Sequence, residues 1–241
     1  MQSTLLIIQA MAMAMAMAAA ALATPQKTVG GGPDVPSLDV PACPAVGSVS
    51  YTNTVPSTDN TTFPKTGVSL CYDDSFIHIT FTALQEKSFY YNASVPINGD
   101  IYDYEVMESF ISRGTDDPQT YLEFEVAPNN VTFSAFIYNP SKVRATGAAF
   151  DRFYITDLVD DKLSATTTLD KPNEKWVSNV QIPLGFFNVE EGCAKGTEWR
   201  MNFFRTVTSN ATFPTQAYGG WSAPNETNFH MTPFFGRVDF V

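Results

Sequence analysis

Val68-Ser69-Leu70-Cys71-Tyr72-Asp73-Asp74-Ser75-Phe76-Ile77-His78-Ile79-Thr80-Phe81-Thr82 reads as two strands joined by an acidic turn. In the second strand Ile77, Ile79 and Phe81 fall on one side, and His78 and Thr80 on the other. A period of two belongs to a half-buried strand, because successive side chains of extended backbone point to opposite faces. Asp73-Asp74-Ser75 supplies the short polar side chains that favour a tight turn.

The same pattern returns along the chain, in Tyr104 to Ile111, Tyr121 to Val126 and Val131 to Tyr138. Pro128-Asn129-Asn130 lies between the last two and predicts a hairpin turn. Further strands are predicted over Arg152 to Ile155, Leu163 to Leu169, Lys175 to Ile182, Trp199 to Val207 and Phe234 to Phe240. Pro183 to Asn188 alone suggests a helical turn. Many short strands broken by Pro, Gly and Asn predict an all-β domain, an antiparallel β-sandwich of jelly-roll character. A closed barrel fits the same pattern.

The segments before these strands set the compartment. Leu5 to Ala23 is uncharged and ends in Ala21-Leu22-Ala23, the small-x-small pattern that precedes signal-peptide cleavage. A retained membrane anchor is the other reading of this run, although Ala and Met give it little hydrophobic drive. Removing residues 1–23 leaves 241 − 23 = 218 residues, enough for one domain with a substantial core. Residues 24–44, rich in Pro and Gly, read as a linker or draped arm, and the folded domain is expected over 45–241. Five sequons, at Asn60, Asn92, Asn130, Asn210 and Asn225, mark a chain that passes through a secretory pathway and is glycosylated. Secretion to the extracellular space is the expected fate.

With 14 basic and 25 acidic side chains the net charge is −11. Nucleic acid and anionic membrane surfaces are therefore excluded as partners, while neutral and cationic ligands are not. In an oxidising compartment Cys43 and Cys71 are the expected disulfide, since Cys43 lies in an irregular segment that needs tying to the first strand. Cys193 is then left over, and three free thiols are the alternative. No CxxC or Cys/His cluster suggests zinc. Acidic turns offer oxygen ligands for Ca²⁺, but no EF-hand spacing is present and no ligand set is legible.

Candidate chemistry starts with carboxylates, because glycosidases need two flanking the scissile bond. Asp73/Asp74, Asp116/Asp117, Asp160/Asp161 and Glu190/Glu191 are adjacent pairs, most of them in turn-like contexts. Glu123 and Glu125 share a strand face with Tyr121, opposite Leu122, Phe124 and Val126, which reads as a solvent face beside a core face. The two histidines, His78 and His230, lie near no G-x-S-x-G nucleophile elbow.

The 19 Phe, 10 Tyr and 3 Trp point instead to stacking. Flat rings accept the apolar C–H faces of sugars while neighbouring polar groups fix the hydroxyls. Trp221, in the loop Tyr218-Gly219-Gly220-Trp221-Ser222-Ala223-Pro224, has no evident reason to be buried. A regular strand from Tyr102 would put Tyr102, Tyr104, Val106 and Glu108 on one face. Trp176 and Trp199 lie within strands and read as packing residues.

At Asp100-Ile101-Tyr102-Asp103-Tyr104-Glu105-Val106-Met107-Glu108, Tyr121 to Pro128, Glu198 to Arg205, Trp221 to Pro224, Asn228-Phe229-His230 and Phe235-Gly236-Arg237, the chain resembles the carbohydrate-binding module family 9-like group, and specifically its secreted fungal single-domain members. The resemblance implies a β-sandwich that binds sugars, accessory to xylan- or cellulose-degrading enzymes in carbohydrate catabolism, with structural calcium. It also implies a clamp of two rings. Trp221 matches one, Tyr102 stands where a second Trp is expected, and Glu108 contacts the sugar, with Asn202 and Arg200 as further candidates. The expected function is non-catalytic binding of wall polysaccharide such as xylan or cellulose, or of their oligosaccharides. Three other readings stay open. One is a haem-binding redox sandwich with ligands among Met107, Met201, Met231, His78 and His230. Another is direct glycoside hydrolysis through Glu123 or Glu108. The third is a structural wall protein without binding.

Overall fold

The structure is a computed structural model that describes residues 32–59 and 61–241. Thirteen strands form two sheets packed face to face: β1 (Ser37–Val40), β2 (Gly47–Tyr51), β3 (Thr66–Tyr72), β4 (Phe76–Leu84), β5 (Val106–Arg113), β6 (Thr120–Val126), β7 (Thr132–Tyr138), β8 (Asp151–Tyr154), β9 (Ser164–Asp170), β10 (Lys175–Pro183), β11 (Glu198–Val207), β12 (Ala217–Gly220) and β13 (Gly236–Phe240). One sheet runs β2-β3-β4-β10-β9. The other runs β1-β13-β11-β5-β6-β7-β8, with β12 also paired to β11. The strand pairs are antiparallel apart from β1, which lies parallel to β13.

The opening hairpin forms as its alternation predicts. Ile79 of β4 pairs with Leu70 of β3, and both are buried between the sheets. Asp73 Oδ1 accepts the Ser75 and Phe76 amides at 2.9 and 2.8 Å, which closes the turn. At the β6–β7 hairpin Asn130 takes φ +65°, a left-handed conformation that asparagine tolerates. Pro183 to Asn188 contains the expected helical turn, a 3-10 segment over Leu184–Phe187.

The ends of the chain differ from the expectation. Packing starts inside the predicted arm, at β1, because Arg237 N donates to Pro36 O and Val241 N to Val40 O. An edge of the large sheet thus captures a segment whose prolines flank it rather than interrupt it. Cys43 is bonded to Cys71 on β3, with Cα atoms 5.1 Å apart, and Cys193 is free and exposed. The predicted signal peptide and Asn60 lie outside the described residues. Asn92, Asn130, Asn210 and Asn225 are exposed.

The large sheet has two buried faces, and this positions the site. Met107, Ile111, Leu122, Phe124, Trp199, Met201 and Phe203 point inward, against the smaller sheet. On its outer face Val106, Phe110, Tyr121, Phe133, Ile137 and Phe204 form a second apolar cluster. Long connections after β7 and β12 cover that cluster. Glu108, Glu123 and Glu125 are on this outer face and are buried beneath the connections, not solvent-facing as the alternation alone suggests.

Candidate functional site

The outer face of the large sheet holds a cleft of about 420 Å³. Its floor is Glu108 on β5, Glu123 and Glu125 on β6, and Thr206 on β11. Glu108 and Glu125 are direct cross-strand partners, and Glu123 lies two residues along the same face. Tyr102, Tyr218 and Phe229 bring aromatic surface to the cleft, while Arg144, Arg152, Gln216, Thr227, Asn228 and His230 complete the lining.

Tyr102 arrives by a different route from the one expected. Ile101–Asp103 is a 3-10 turn, and the strand begins only at Val106. The turn carries the Tyr102 ring to the cleft wall, where its hydroxyl donates to Asp100 Oδ1 at 2.8 Å. Burial and that carboxylate push the phenol up to about 12. Gln216 Nε2 donates to Tyr102 O at 2.7 Å, and Tyr218 Oη donates to Gln216 Oε1 at 2.8 Å, so the two tyrosines are held through one amide. Phe229 stacks on Phe204 with centroids 4.1 Å apart and meets Tyr218 edge-on at 5.5 Å. Tyr104 turns away and stacks on Phe213.

Trp221 does not face Tyr102. The indole is 8 % exposed and packs against Phe203, with ring centroids 5.6 Å apart. Gly236 makes this possible, since a Cβ there would clash with Cζ3 and Cη2 of the indole. The edge of Trp221 reaches a separate cavity beside Asp34 and Asn53. Gly219 and Gly220 likewise admit the rings of Phe63 and Phe204, so the loop that looked open is a close ring-on-backbone contact. Phe229, from the segment Asn228-Phe229-His230, stands in the cleft with Tyr102 and Tyr218.

Asn202 and Arg200 are on the outer face but away from the cleft, and both hold the covering connection in place. Asn202 Nδ2 donates to Ser222 O at 2.8 Å, and its Oδ1 accepts from Ser222 N at 3.1 Å. Arg200 pairs with Asp117 at 2.9 Å and donates to Pro233 O at 3.2 Å. The two clips bracket Thr227 to His230. The other side of that segment is tied to the β7–β8 connection, through Asn139 Nδ2 to His230 O and Asn228 Nδ2 to Val143 O, each 2.8 Å.

His230 is buried against Phe110 and Phe150, and its Nδ1 is 2.8 Å from the Tyr121 hydroxyl. Burial, with Arg144 and Arg152 nearby, lowers it to about 3, so the imidazole is neutral. Its 3.8 Å approach to Glu123 Oε1 is therefore not an ion pair. His78 pairs with Asp73 at 2.7 Å, at the β3–β4 turn. Met107 and Met201 are sealed between the sheets, and among the described residues no methionine lines the cleft that His230 lines. The Met/His pairs considered for haem are thus not brought together there.

The carboxyl groups of the floor are perturbed together. Burial pushes Glu108 and Glu125 well above the usual carboxylate range, and each is raised further by neighbouring acids. Glu123 is raised by burial to about 8, with Arg152 and Arg144 pulling the other way. Sequence reasoning passed over Glu123 and Glu125 as a solvated face. Their shared face with Tyr121 was the available signal, but the cover comes from connections remote in sequence.

The chain is 50 % identical over 206 residues to an extracellular protein of Arthroderma benhamiae, across 86 % of this chain and 91 % of that one. No family model matches it. Its fold resembles a candidate carbohydrate-binding protein from Bacteroides uniformis, with a TM-score of 0.64 at 18 % identity over 86 % of this chain and all of that one. It also resembles a family 9 carbohydrate-binding module from Caldicellulosiruptor kristjanssonii. The complex of that module with cellotriose gives a TM-score of 0.55 at 14 % identity over 85 % of this chain and 93 % of the module. The glucose complex gives 0.56 at 14 % identity, over 85 % and 95 %. At such identities the likeness is one of fold.

Proposed function

The chain belongs to the family of the Arthroderma benhamiae extracellular protein, and from that premise we propose that it is likewise secreted and binds carbohydrate, without catalysis, in the Tyr102–Glu108 cleft. The observation that carries this reading is the cleft itself. Half-buried Tyr102, Tyr218 and Phe229 line a space that also presents Glu108, Gln216 and Asn228. Aromatic surface beside a few fixed polar groups is what a pyranose needs, rings for its C–H faces and hydrogen bonds for its hydroxyls. The family 9 fold, whose module is described in complex with cellotriose and glucose, favours wall-derived glucans over other ligands. Xylan and its oligosaccharides are the alternative ligands within this reading. Asn202 and Arg200 serve binding indirectly, by fixing the Thr227-to-His230 segment. Residues 1–23 act as the signal peptide, and the exposed sequon asparagines carry glycans.

Hydrolysis is less well supported. A glycosidase needs one protonated and one ionised carboxyl, with environments that push the two apart. Here burial drives all three acids the same way.

Calorimetric titration with cellotriose and with xylotriose tests the proposal. Tyr102→Ala and Phe229→Ala are each expected to weaken binding at least ~10-fold, about 1.4 kcal/mol, with the near-ultraviolet circular dichroism retained. Undiminished binding by both variants, or no binding of any wall oligosaccharide by the wild type, would overturn it.

A further inference from the structure

Glu108, Glu123 and Glu125 each offer one carboxylate oxygen, and these oxygens all lie within 4.8 Å of one another. Calcium–oxygen bonds are ~2.3–2.6 Å long, so a calcium coordination sphere is about 4.6–5.2 Å across. Oxygens no more than 4.8 Å apart fit on one such sphere. Magnesium demands bonds of about 2.0–2.1 Å in a near-ideal octahedron, which carboxylates fixed on neighbouring strands do not readily supply.

A second observation concerns the same side chains. Glu123 Oε2 and Glu125 Oε2 are buried without a hydrogen-bond partner, on side chains 4 % and 1 % exposed. Buried polar atoms are ordinarily satisfied, and an orphan is costly. Acids facing each other directly across a strand pair are also destabilising, and Glu108 and Glu125 do so. Yet the cleft carries two guanidinium groups, on Arg144 and Arg152, and neither is within salt-bridge distance of these carboxylates among the described residues. One divalent ion would satisfy the orphaned oxygens and turn the like-charge contact into coordination. The arginines would balance the charge of −1 that three carboxylates and one such ion leave.

We propose that Glu108, Glu123 and Glu125 form a calcium site in the floor of the cleft, open on the cleft side to water or to the hydroxyls of a ligand. The site stands on the geometry of the carboxylates and does not depend on the sugar reading.

The full-length purified protein, stripped with EDTA, is titrated with CaCl₂ in the absence of sugar, up to about 1 mM, the weak end for extracellular calcium modules. One ion per chain and a rise in Tm are expected. The Glu123→Gln and Glu125→Gln variants keep side-chain volume, and each is expected to weaken uptake at least ~10-fold. Wild-type protein that takes up no calcium in this range overturns the proposal whether or not the variants fold. Unchanged uptake by both folded variants overturns it as well. Repeating the cellotriose titration in EDTA separates the two readings, because calcium uptake by a chain that binds no sugar leaves this site standing alone.

Discussion

Glu86 and Glu125 are each 1 % exposed, but they are buried in opposite ways. Glu86 Oε2 pairs with Arg205 at 2.7 Å, and its Oε1 accepts the Ser88 and Phe89 amides at 2.7 and 3.0 Å. Arg205 also donates to Leu84 O at 3.0 Å, and Glu105 alongside accepts the Tyr90 amide at 2.7 Å. Glu125 has a second acid opposite it, a third beside it and an orphaned oxygen. The first region is a polar network that ties β11 to the smaller sheet, with both Glu86 oxygens bonded and only Arg205 Nε left without a partner in the Glu86–Arg205 pair. The second has its partners missing, and it lines the cleft. A buried charge surrounded by its own hydrogen bonds needs no ligand, whereas one left incomplete beside an opening is where a ligand finds free energy.

This contrast can be broken most sharply at Arg205. Arg205→Met leaves Glu86 and Glu105 buried without their cation, and a loss of ~3–5 kcal/mol in urea unfolding is expected. A loss below about 1 kcal/mol would remove the distinction between the two regions.

The pH dependence is the next largest effect. Burial, with Glu86 nearby, raises Glu105 to about 8, burial raises Glu123 to about 8, and burial beside neighbouring acids holds Glu108 and Glu125 well above the usual carboxylate range. A carboxyl whose folded value is raised holds its proton in the native state when the unfolded chain has lost it. Its stabilising share is full below the unfolded value and fades as pH rises through the folded one. His230, lowered to about 3, acts in the opposite direction, but only below about pH 6.5. In EDTA, unfolding free energy is therefore expected to fall between about pH 6.5 and pH 8.5, by up to ~1.4 kcal/mol per pH unit for each group. Rising stability over that window would contradict the burial of these acids.

Glu125→Gln should change least. At neutral pH without calcium its stability is expected to stay within about 1 kcal/mol of wild type, since an amide is uncharged like the protonated acid it replaces and costs no volume. The pH slope of the variant should be shallower by one group. A large loss of stability would mean that Glu125 is structural in the way Glu86 is.

Much of this contrast was legible in part. Alternation put Glu123 and Glu125 on the face opposite Leu122, Phe124 and Val126, and the structure keeps that division. Tyr102 and Glu108 do meet in one cleft, although through a 3-10 turn in place of continuous strand. Strands β2 and β12 were missed because Gly47-Ser48-Val49-Ser50-Tyr51 and Ala217-Tyr218-Gly219-Gly220 have too few apolar residues to show a period. Trp221 was misplaced for a related reason. Glycines at 219 and 220 look like loop punctuation, and nothing local reveals that Gly236 has made room for the indole.

From its residues alone the chain indicates two-faced strands, an all-β domain and Cys43–Cys71 as the expected bond. These follow from the period of side chains along a backbone and from the redox compartment, which are local or compositional properties. The burial of Trp221, the closure of Glu86 with Arg205 and the convergence of three acids under Phe229 were decided by packing. They depend on distant segments, 119 residues apart for Glu86 and Arg205, arriving at one place, and the cost of burying a charge or a ring is set by what surrounds it in space.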